Sequence, residues 1–381
     1  MSDAHTAATD RIPVTLVTGF LGSGKTTLVN RMLKARSHAH AAVVVSEYGE
    51  IGIDHVLIEA PRSRMRLIDG GCLCGHVHEE VAASLLHLLR QRERGAESSF
   101  DRVIIETSGL ADPVPIIQIL LTDLAVVAAY ELRQVITVVD GVHGIEHLDE
   151  FTESLKQAAV ADVVVLSKTD IADAAGLEAV AARLAEVNPG ARQVRCAHGL
   201  LDPALFEGVA YDAAQVGAEA RSWLNDAGYA QRTPAAGAKG AISTCSLTHE
   251  GEITIPGLVI WLNLLSGFRG GGLLRVKGVV NVEGIPYAVQ AVQTVISEPV
   301  RLPGWPDDDR RSKLVFITRG MDTEELRATF GAFSFEGGRD ARNLTIRPQT
   351  YERFKQAIEL FRHGGARPTA RPSRDAIASH H

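Results

Sequence analysis

The chain has 381 residues, of which 45% are hydrophobic and 22% charged, and its formal net charge is −7. These values are ordinary for a folded globular protein, and they exclude a wholly disordered chain, a coiled coil and the basic surface of a nucleic-acid-binding protein. No apolar stretch approaches the roughly 18 residues of a membrane helix, and the first residues lack a signal-peptide pattern, so we expect a cytoplasmic protein that does not enter the membrane.

The first half of the chain alternates apolar runs typical of strands with segments of helical periodicity. The predicted strands are Val14–Thr18, Ala42–Ser46, Val103–Glu106, Gln134–Asp140, Asp162–Ser167 and Gln193–Cys196. The predicted helices are Thr26–Ala35, Glu79–Arg92, Val114–Leu121, Phe151–Ala159 and Leu177–Val187. Strands rich in Val and Ile that are separated by helices indicate a mostly parallel sheet covered on both faces. We therefore predict an α/β domain over residues 11–212, preceded by a disordered N-terminus at residues 1–10.

The pattern changes between residues 213 and 240, where alanine, glycine and a Thr-Pro pair dominate, and we interpret this segment as a linker. Beyond it we predict a smaller α+β domain over residues 241–362, with strands in a more antiparallel arrangement. Its predicted elements are strands at Ala241–Leu247, Leu258–Leu262, Leu274–Val282, Tyr287–Thr294 and Lys313–Thr318 and a short helix at Thr323–Phe330. Residues 363–381 have little apolar content, and we expect a disordered tail.

A phosphate-binding motif lies between the first predicted strand and the first predicted helix. Residues 19–26 read Gly-Phe-Leu-Gly-Ser-Gly-Lys-Thr, which matches the P-loop pattern G-x-x-x-x-G-K-[ST] in the strand–loop–helix context that it requires. Backbone N–H groups of such a loop wrap the phosphates, and the helix N-terminus adds positive potential. We expect Lys25 to reach the β- and γ-phosphates and Thr26 to ligate Mg²⁺. The nucleotide-binding candidates in this segment are Gly19, Gly22, Ser23, Gly24, Lys25, Thr26 and Thr27.

A nucleotide site of this kind needs a second acidic group near the metal. Glu106 ends a predicted strand, and Gly109 follows it at the spacing of a D-x-x-G switch element, with glutamate in place of aspartate. We expect Glu106 to lie beside Thr26 and to hold Mg²⁺ or its water, and Gly109 to place a backbone N–H near the γ-phosphate. Lys25, Thr26 and Glu106 are therefore the catalytic candidates. No obvious glutamine orients the attacking water, so we expect slow intrinsic turnover.

The sequence Ser167-Lys168-Thr169-Asp170 follows an apolar strand and is similar to the guanine-reading motif N-K-x-D. The Asp170 carboxylate would accept hydrogen bonds from guanine N1–H and the exocyclic amine, a pair that adenine does not offer, and Lys168 would lie along the base. Ser167 replaces the amide of that motif with a hydroxyl. We favour GTP as the nucleotide, and an ATP-dependent kinase or ligase with the same loop is the alternative that this serine leaves open.

With these elements placed, the chain resembles the CobW-type family of P-loop GTPases, which includes metallochaperones. The resemblance rests on the segments Gly19–Thr27, Ser46–Asp54, Gly71–Cys74, Glu106–Pro113 and Ser167–Asp170, and on a similarity of Leu273–Gly278 to the family's C-terminal domain. It implies GTP hydrolysis coupled to the insertion of a metal, often zinc, or to assembly of a metal cofactor such as cobalamin. The implied partner is a client metalloprotein or cofactor-assembly protein, and relatives of this class often form a homodimer around nucleotide.

The family hallmark is Cys-x-Cys-Cys, whereas residues 72–75 of this chain read Cys-Leu-Cys-Gly, so the third thiolate is missing. Cys72, Cys74, His76 and His78 are spaced by two and would point to one face of an extended stretch. If a helix starts near residue 75, Cys72 and His76 could still approach, while His78 would diverge. Two thiolates with one or two imidazoles form a zinc-like ligand set, with Co²⁺ or another transition metal as alternatives. The resemblance adds Glu47 of the first switch, which would couple metal retention to the nucleotide state.

Three functional hypotheses follow from these motifs. The first is a GTP-hydrolysing metallochaperone that binds a transition metal, with zinc as the favoured metal, near Cys72 and Cys74 and delivers it to a client protein or cofactor pathway. The second is a GTP-gated switch that binds a client without any metal. The third is a maturation factor for cobalamin or for a metalloenzyme of the nitrile hydratase type.

Overall fold

The structure is a computed structural model that describes residues 11–47, 64–69, 76–94, 99–201, 242–266, 272–293, 295–297 and 299–334. The predicted disordered ends and the predicted linker at residues 213–240 lie outside these ranges. None of the helices within them combines the length and apolar character that a membrane crossing requires.

Seven strands of the described residues form one sheet in which every pairing is parallel. In spatial order they are β3 (Met65–Asp69), β2 (Ala41–Glu47), β4 (Arg102–Glu106), β1 (Ile12–Gly19), β5 (Tyr130–Asp140), β6 (Val163–Ser167) and β7 (Arg192–Arg195). The interior strands β1 and β6 are buried along almost their whole length, as expected for a sheet that helices cover on both faces. The α/β prediction is confirmed, although β3 has too few apolar residues to be recognised from its sequence.

Helices connect these strands. They are α1 (Lys25–Lys34), α2 (His76–Arg94), α3 (Val114–Thr122), α4 (Leu124–Ala129), α5 (Gly144–Glu150), α6 (Thr152–Ala159) and α7 (Ala174–Val187). Two of them, α4 and α5, are absent from the sequence prediction, because helices of six and seven residues are too short to display a periodic pattern. A local signal for α4 does exist, since the Asp123 carboxylate accepts hydrogen bonds from two amides of its first turn.

A second, antiparallel sheet occupies the C-terminal part of the described chain. Its strands are β8 (Ile242–His249), β9 (Leu273–Val282), β10 (Ile285–Val292), β11 (Val295–Ile296), β12 (Val300–Arg301) and β13 (Ser312–Arg319). Two helices, α8 (Ile255–Ser266) and α9 (Thr323–Thr329), accompany it, and Trp261 of α8 packs against Phe316 of β13 in a shared core. The predicted α+β character of this part is confirmed.

The prediction of a strand at Leu258–Leu262 is wrong, because these residues form the middle of α8. Leu258, Trp261 and Leu265 are buried, and spacings of three and four residues place them on one face of a helix. Val259 is 51% exposed, on a part of the helix that does not face the core. A short apolar run fits a strand and a buried helix equally well, so the surface against which it packs decides between them.

Strand β9 joins the two sheets. Its residues are buried throughout, and Arg275 and Lys277 both form ion pairs with Asp162, which immediately precedes β6. The Arg275 guanidinium also donates to the backbone carbonyl of Val160. Burial alone would raise the pKa of Asp162, but the positive charges of Arg275 and Lys277 outweigh burial and lower this pKa to about 2.

Candidate nucleotide site

The predicted nucleotide-binding residues meet at the carboxyl ends of four neighbouring strands. Strand β1 leads into the phosphate loop, and β4, β5 and β6 end at Glu106, Asp140 and Ser167. Since β4, β1, β5 and β6 are consecutive in the sheet, these strand ends form one edge. Ligands of open α/β sheets bind at this edge.

The phosphate loop adopts a conformation that requires its glycines. Gly22 and Gly24 have φ values of +67° and +95°, in the left-handed region that other residues rarely enter. Gly24 is also the N-cap of α1, and it offers no side-chain oxygen to the first amides of the helix. Those amides are the donors that an anionic ligand at a helix N-terminus uses. The buried Lys25 ammonium bends back over the loop and donates to the carbonyls of Gly19 at 2.9 Å and Phe20 at 3.0 Å.

The side chains of Thr26 and Glu106 contact each other directly. The Thr26 hydroxyl donates to Oε1 of Glu106 at 2.6 Å, and the Glu106 carboxylate is buried. A hydroxyl and a carboxylate are hard oxygen ligands of the kind that Mg²⁺ prefers. The residues predicted to hold Mg²⁺ therefore lie together and have suitable chemistry.

The segment after β4, Thr107–Pro113, lies against the phosphate loop. Its first residue is fixed to β1, because the Thr107 amide donates to the carbonyl of Val17 at 3.0 Å. A Cβ atom at Gly109 would lie 2.7 Å from the backbone nitrogen of Leu21, so a side chain does not fit there. We call this segment the second switch loop.

The loop after β6 contains an ion pair that sequence reasoning missed. Lys168 has a φ of +56°, and its ammonium lies 2.7 Å from Oδ2 of Asp140 at the end of β5. The other carboxylate oxygen of Asp140 accepts from the amides of Val142 and His143. Burial opposes ionisation of Asp140, yet the hydrogen bonds from Lys168 and these amides lower its pKa. The sequence signal that could have revealed Asp140 is its position at the end of a buried apolar strand, the same position that Glu106 has in β4.

Ser167 connects the predicted base-reading loop to the phosphate loop. Its hydroxyl donates to the carbonyl of Ser23 at 2.6 Å, with the carbonyl of Val139 at 3.2 Å. Asp170, the predicted guanine reader, lies beside the loop after β7, where its carboxylate accepts from the amide of His198 at 3.1 Å. This amide hydrogen bond is the main cause of the lowered pKa of Asp170.

Of the candidate transition-metal ligands, only Glu47, His76 and His78 have a described backbone. Cys72 and Cys74 lie outside the described residues, as do the side chains of Glu47, His76 and His78. Helix α2 begins at His76, so residues 76–78 are helical rather than extended. Positions 76 and 78 are about 200° apart around the helix axis and therefore diverge. Within the part of the chain whose side chains are described, no group of three His, Cys, Asp or Glu residues could hold a metal.

Comparisons with known proteins cover both sheets. Residues 13–195 match the family model described as the CobW/HypB/UreG nucleotide-binding domain, and residues 242–334 match that of the cobalamin synthesis protein cobW C-terminal domain. The chain is 33% identical over 324 residues to the zinc chaperone YjiA of Escherichia coli (strain K12), covering 84% of this chain and 98% of that protein.

Two further similarities concern a yeast protein and a solved structure. The zinc-regulated GTPase metalloprotein activator 1 of Schizosaccharomyces pombe is 31% identical over 206 residues, covering 52% of this chain and 49% of that protein. A crystal structure of Zn(II)-bound YjiA GTPase from E. coli has a TM-score of 0.62 and 27% identity, and the match covers 85% of this chain and 99% of that one.

Proposed function

This chain belongs to the CobW/HypB/UreG family, and from that premise we propose that it is a GTPase that binds zinc as cargo and delivers it to a client protein or cofactor pathway. The observation that carries the proposal is the contact between Thr26 and Glu106 at the foot of the phosphate loop. This contact brings the threonine of the phosphate loop to the acidic residue that is expected to hold Mg²⁺ with it.

Hydrolysis would rely on positive charge and hydrogen-bond donors around the γ-phosphate. Lys25 would exchange its carbonyl partners for phosphate oxygens, and the amides of the phosphate loop and of Gly109 would stabilise the charge that develops there. Thr26 and Glu106 would hold Mg²⁺, which would neutralise charge on the β- and γ-phosphates. Water would attack the γ-phosphorus in line with its bond to the β–γ bridging oxygen, and this bond would break to leave GDP and inorganic phosphate.

Selection of guanine would depend on the loop after β6. Asp170 would accept from the two guanine donors, and Lys168, which Asp140 holds, would lie along the base. Ser167 does not need to read the base in this arrangement, because its hydroxyl donates to the phosphate loop. The serine therefore does not weaken the preference for GTP, and the ATP-dependent alternative becomes less attractive.

The metal part of the proposal rests on ligand chemistry and on the relatives. Cys72, Cys74 and His76 would supply two thiolates and an imidazole suited to zinc, whereas position 78 diverges from position 76 around α2. Glu47 pairs in the sheet with Asp69, which Cys72 follows closely along the chain. This pairing brings the end of β2 to the strand that leads into the cysteines, and it supports Glu47 as a further ligand in the first switch.

The GTPase part is tested by replacing Lys25 with alanine. We expect kcat/KM for GTP to fall by about 100-fold or more, because a charge that stabilises the transition state is lost. A ten-fold excess of ATP over GTP should leave GTP hydrolysis by the wild-type protein almost unchanged. Hydrolysis at the wild-type rate by the Lys25→Ala variant, or equal competition by ATP, would reject this part.

The zinc part is tested by calorimetric titration of Zn²⁺ into the wild-type protein and the Cys72→Ser/Cys74→Ser variant. We expect stoichiometric binding by the wild type and a large loss of affinity in the double variant. Cys245→Ser, which removes a half-buried thiol of β8, is the control and should bind zinc normally. Unchanged affinity in the double variant would remove zinc from the proposal and favour the metal-independent switch.

A further inference from the structure

We propose that Gln157 of α6 is a positioning residue that holds the second switch loop, Thr107–Pro113, in the conformation that meets the γ-phosphate. The inference rests on the proposed GTPase function, and it adds a residue that no nucleotide-binding motif contains. Gln157 is more than 40 positions from the loop in sequence.

The side-chain amide of Gln157 is fully buried, and both of its hydrogens are used by this loop. Nε2 donates to the carbonyl of Gly109 at 3.1 Å and to the carbonyl of Ala111 at 3.0 Å. The backbone of Gln157 is anchored in turn, because its own carbonyl accepts from the Thr137 hydroxyl of β5 at 2.7 Å. The loop is thereby connected to the central sheet through one amide.

The two ends of the loop are held by other contacts. Thr107 is tied to β1, and near the far end the Asp112 carboxylate lies 3.0 Å from the ammonium of Lys156. The middle contains Gly109, a residue type with wide conformational freedom, and a turn hydrogen bond from the Ala111 amide to the Ser108 carbonyl at 3.2 Å spans it. Gln157 binds on both sides of Leu110 and therefore restrains this middle part. Since the Gly109 amide is the expected γ-phosphate donor, loss of the restraint should weaken binding of the triphosphate.

Packing alone does not account for a glutamine at this position. Its Oε1 atom is buried and has no hydrogen-bond donor among the described residues. A buried acceptor without a donor is costly, so an apolar side chain of the same length would fill the space more favourably. What only the glutamine provides is the pair of donated hydrogen bonds.

The test compares the affinities for a non-hydrolysable GTP analogue and for GDP in the Gln157→Met variant. Methionine has a similar length and no donor. We expect the affinity for the GTP analogue and kcat/KM for GTP to fall about ten-fold, the equivalent of one or two hydrogen bonds, while GDP affinity changes less than about two-fold. GDP is the internal control because it lacks the γ-phosphate.

A matched control is Asn188→Ala. The buried Asn188 amide donates to three carbonyls at the C-terminal end of α6, directly after Gln157, those of Ala158, Ala159 and Ala161. This variant should lower the melting temperature but leave the ratio of GTP to GDP affinity unchanged. A change in that ratio would show that any damage to α6 weakens GTP binding, and it would overturn a specific role for Gln157.

Equal losses for GTP and GDP in Gln157→Met, or no loss, would also overturn the inference. If that variant does not fold, Gln157→Glu keeps the size, and its buried carboxyl would be protonated and supply one donor. It should show a smaller loss that is still specific for GTP, and an unchanged ratio would reject the inference. Lack of GTP hydrolysis by the wild type would instead reject the proposed function, so the two failures are distinguishable.

Discussion

Replacing Asp162 with asparagine should destabilise the chain at neutral pH and weaken the attachment of the antiparallel sheet to the parallel one. The Asp162 carboxylate is 15% exposed, and its partners Arg275 and Lys277 are 4% and 9% exposed. A neutral side chain would remove the anionic partner that these two buried positive charges share. Such a loss is far more costly than the loss of a surface ion pair.

The pKa of Asp162 gives the expected size of this destabilisation. Its value of about 2 lies below the ordinary 3.8, and this difference corresponds to about 2–3 kcal/mol in favour of the charged form. Asparagine resembles the protonated acid, so the Asp162→Asn variant should lose a similar free energy of unfolding. The Asp162→Ala variant also lacks the acceptor oxygens, so its loss of unfolding free energy should approach about 3–5 kcal/mol.

The effect should depend on pH with a defined sign. Because the folded-state pKa lies below the unfolded-state value, the stabilisation by Asp162 is complete above about pH 5 and is lost as the pH falls from about 4 to 2. The difference in unfolding free energy between the wild type and Asp162→Asn should therefore shrink on acidification.

Urea unfolding with two probes measures this effect. Of the three tryptophans, Trp261 and Trp305 belong to the C-terminal part and Trp223 lies outside the described residues. Fluorescence therefore reports on the C-terminal part through Trp261 and Trp305, whereas far-UV circular dichroism reports on the whole chain. In the variant we expect the fluorescence transition to move to lower urea and to precede the dichroism transition.

The control for this prediction is Glu178→Gln, which removes an exposed ion pair with Arg195 and should cost less than about 1 kcal/mol. If the unfolding free energy of Asp162→Asn lies within about 0.5 kcal/mol of the wild-type value, the role assigned to the ion pairs of Asp162 is wrong. A difference that stays constant between pH 5 and pH 2.5 would equally refute the electrostatic explanation.

Three further variants test contacts around the nucleotide site. Gly109→Ala would place a Cβ atom 2.7 Å from the Leu21 backbone, so steady-state kinetics should show kcat/KM for GTP reduced about ten-fold or more, and a wild-type value would contradict the close contact. Ser167→Ala leaves a phosphate-loop carbonyl without its donor and should lower the free energy of unfolding by about 1–3 kcal/mol in urea titrations, whereas an unchanged value would show that this hydrogen bond is dispensable. Asp140→Asn releases Lys168 from its ion pair, and fluorescence titrations should show GTP and GDP affinities falling together by about ten-fold, because the base is common to both; a loss confined to GTP would be inconsistent with a role at the base.

The sequence alone determined the features that depend on neighbouring residues. The phosphate loop is recognisable because its conformation needs glycines at fixed positions between a strand and a helix, and Gly22 and Gly24 do adopt positive φ values. Runs of β-branched residues separated by helices specify a buried parallel sheet for the same local reason. The cysteine and histidine run at residues 72–78 is also read directly from its spacing.

Tertiary structure decided whatever depends on residues that are distant in the chain. The apolar run Leu258–Leu262 is helical because of the core it packs against, and Ser167 serves the phosphate loop across 144 positions of sequence. The partnership of Asp140 with Lys168 and the hold of Gln157 on the second switch loop likewise appear only when separate strands and helices come together. Spacing within a segment fixes its local conformation, whereas the partner of a buried polar group is fixed by how the segments pack, because each such group must find its hydrogen bonds wherever the fold places them.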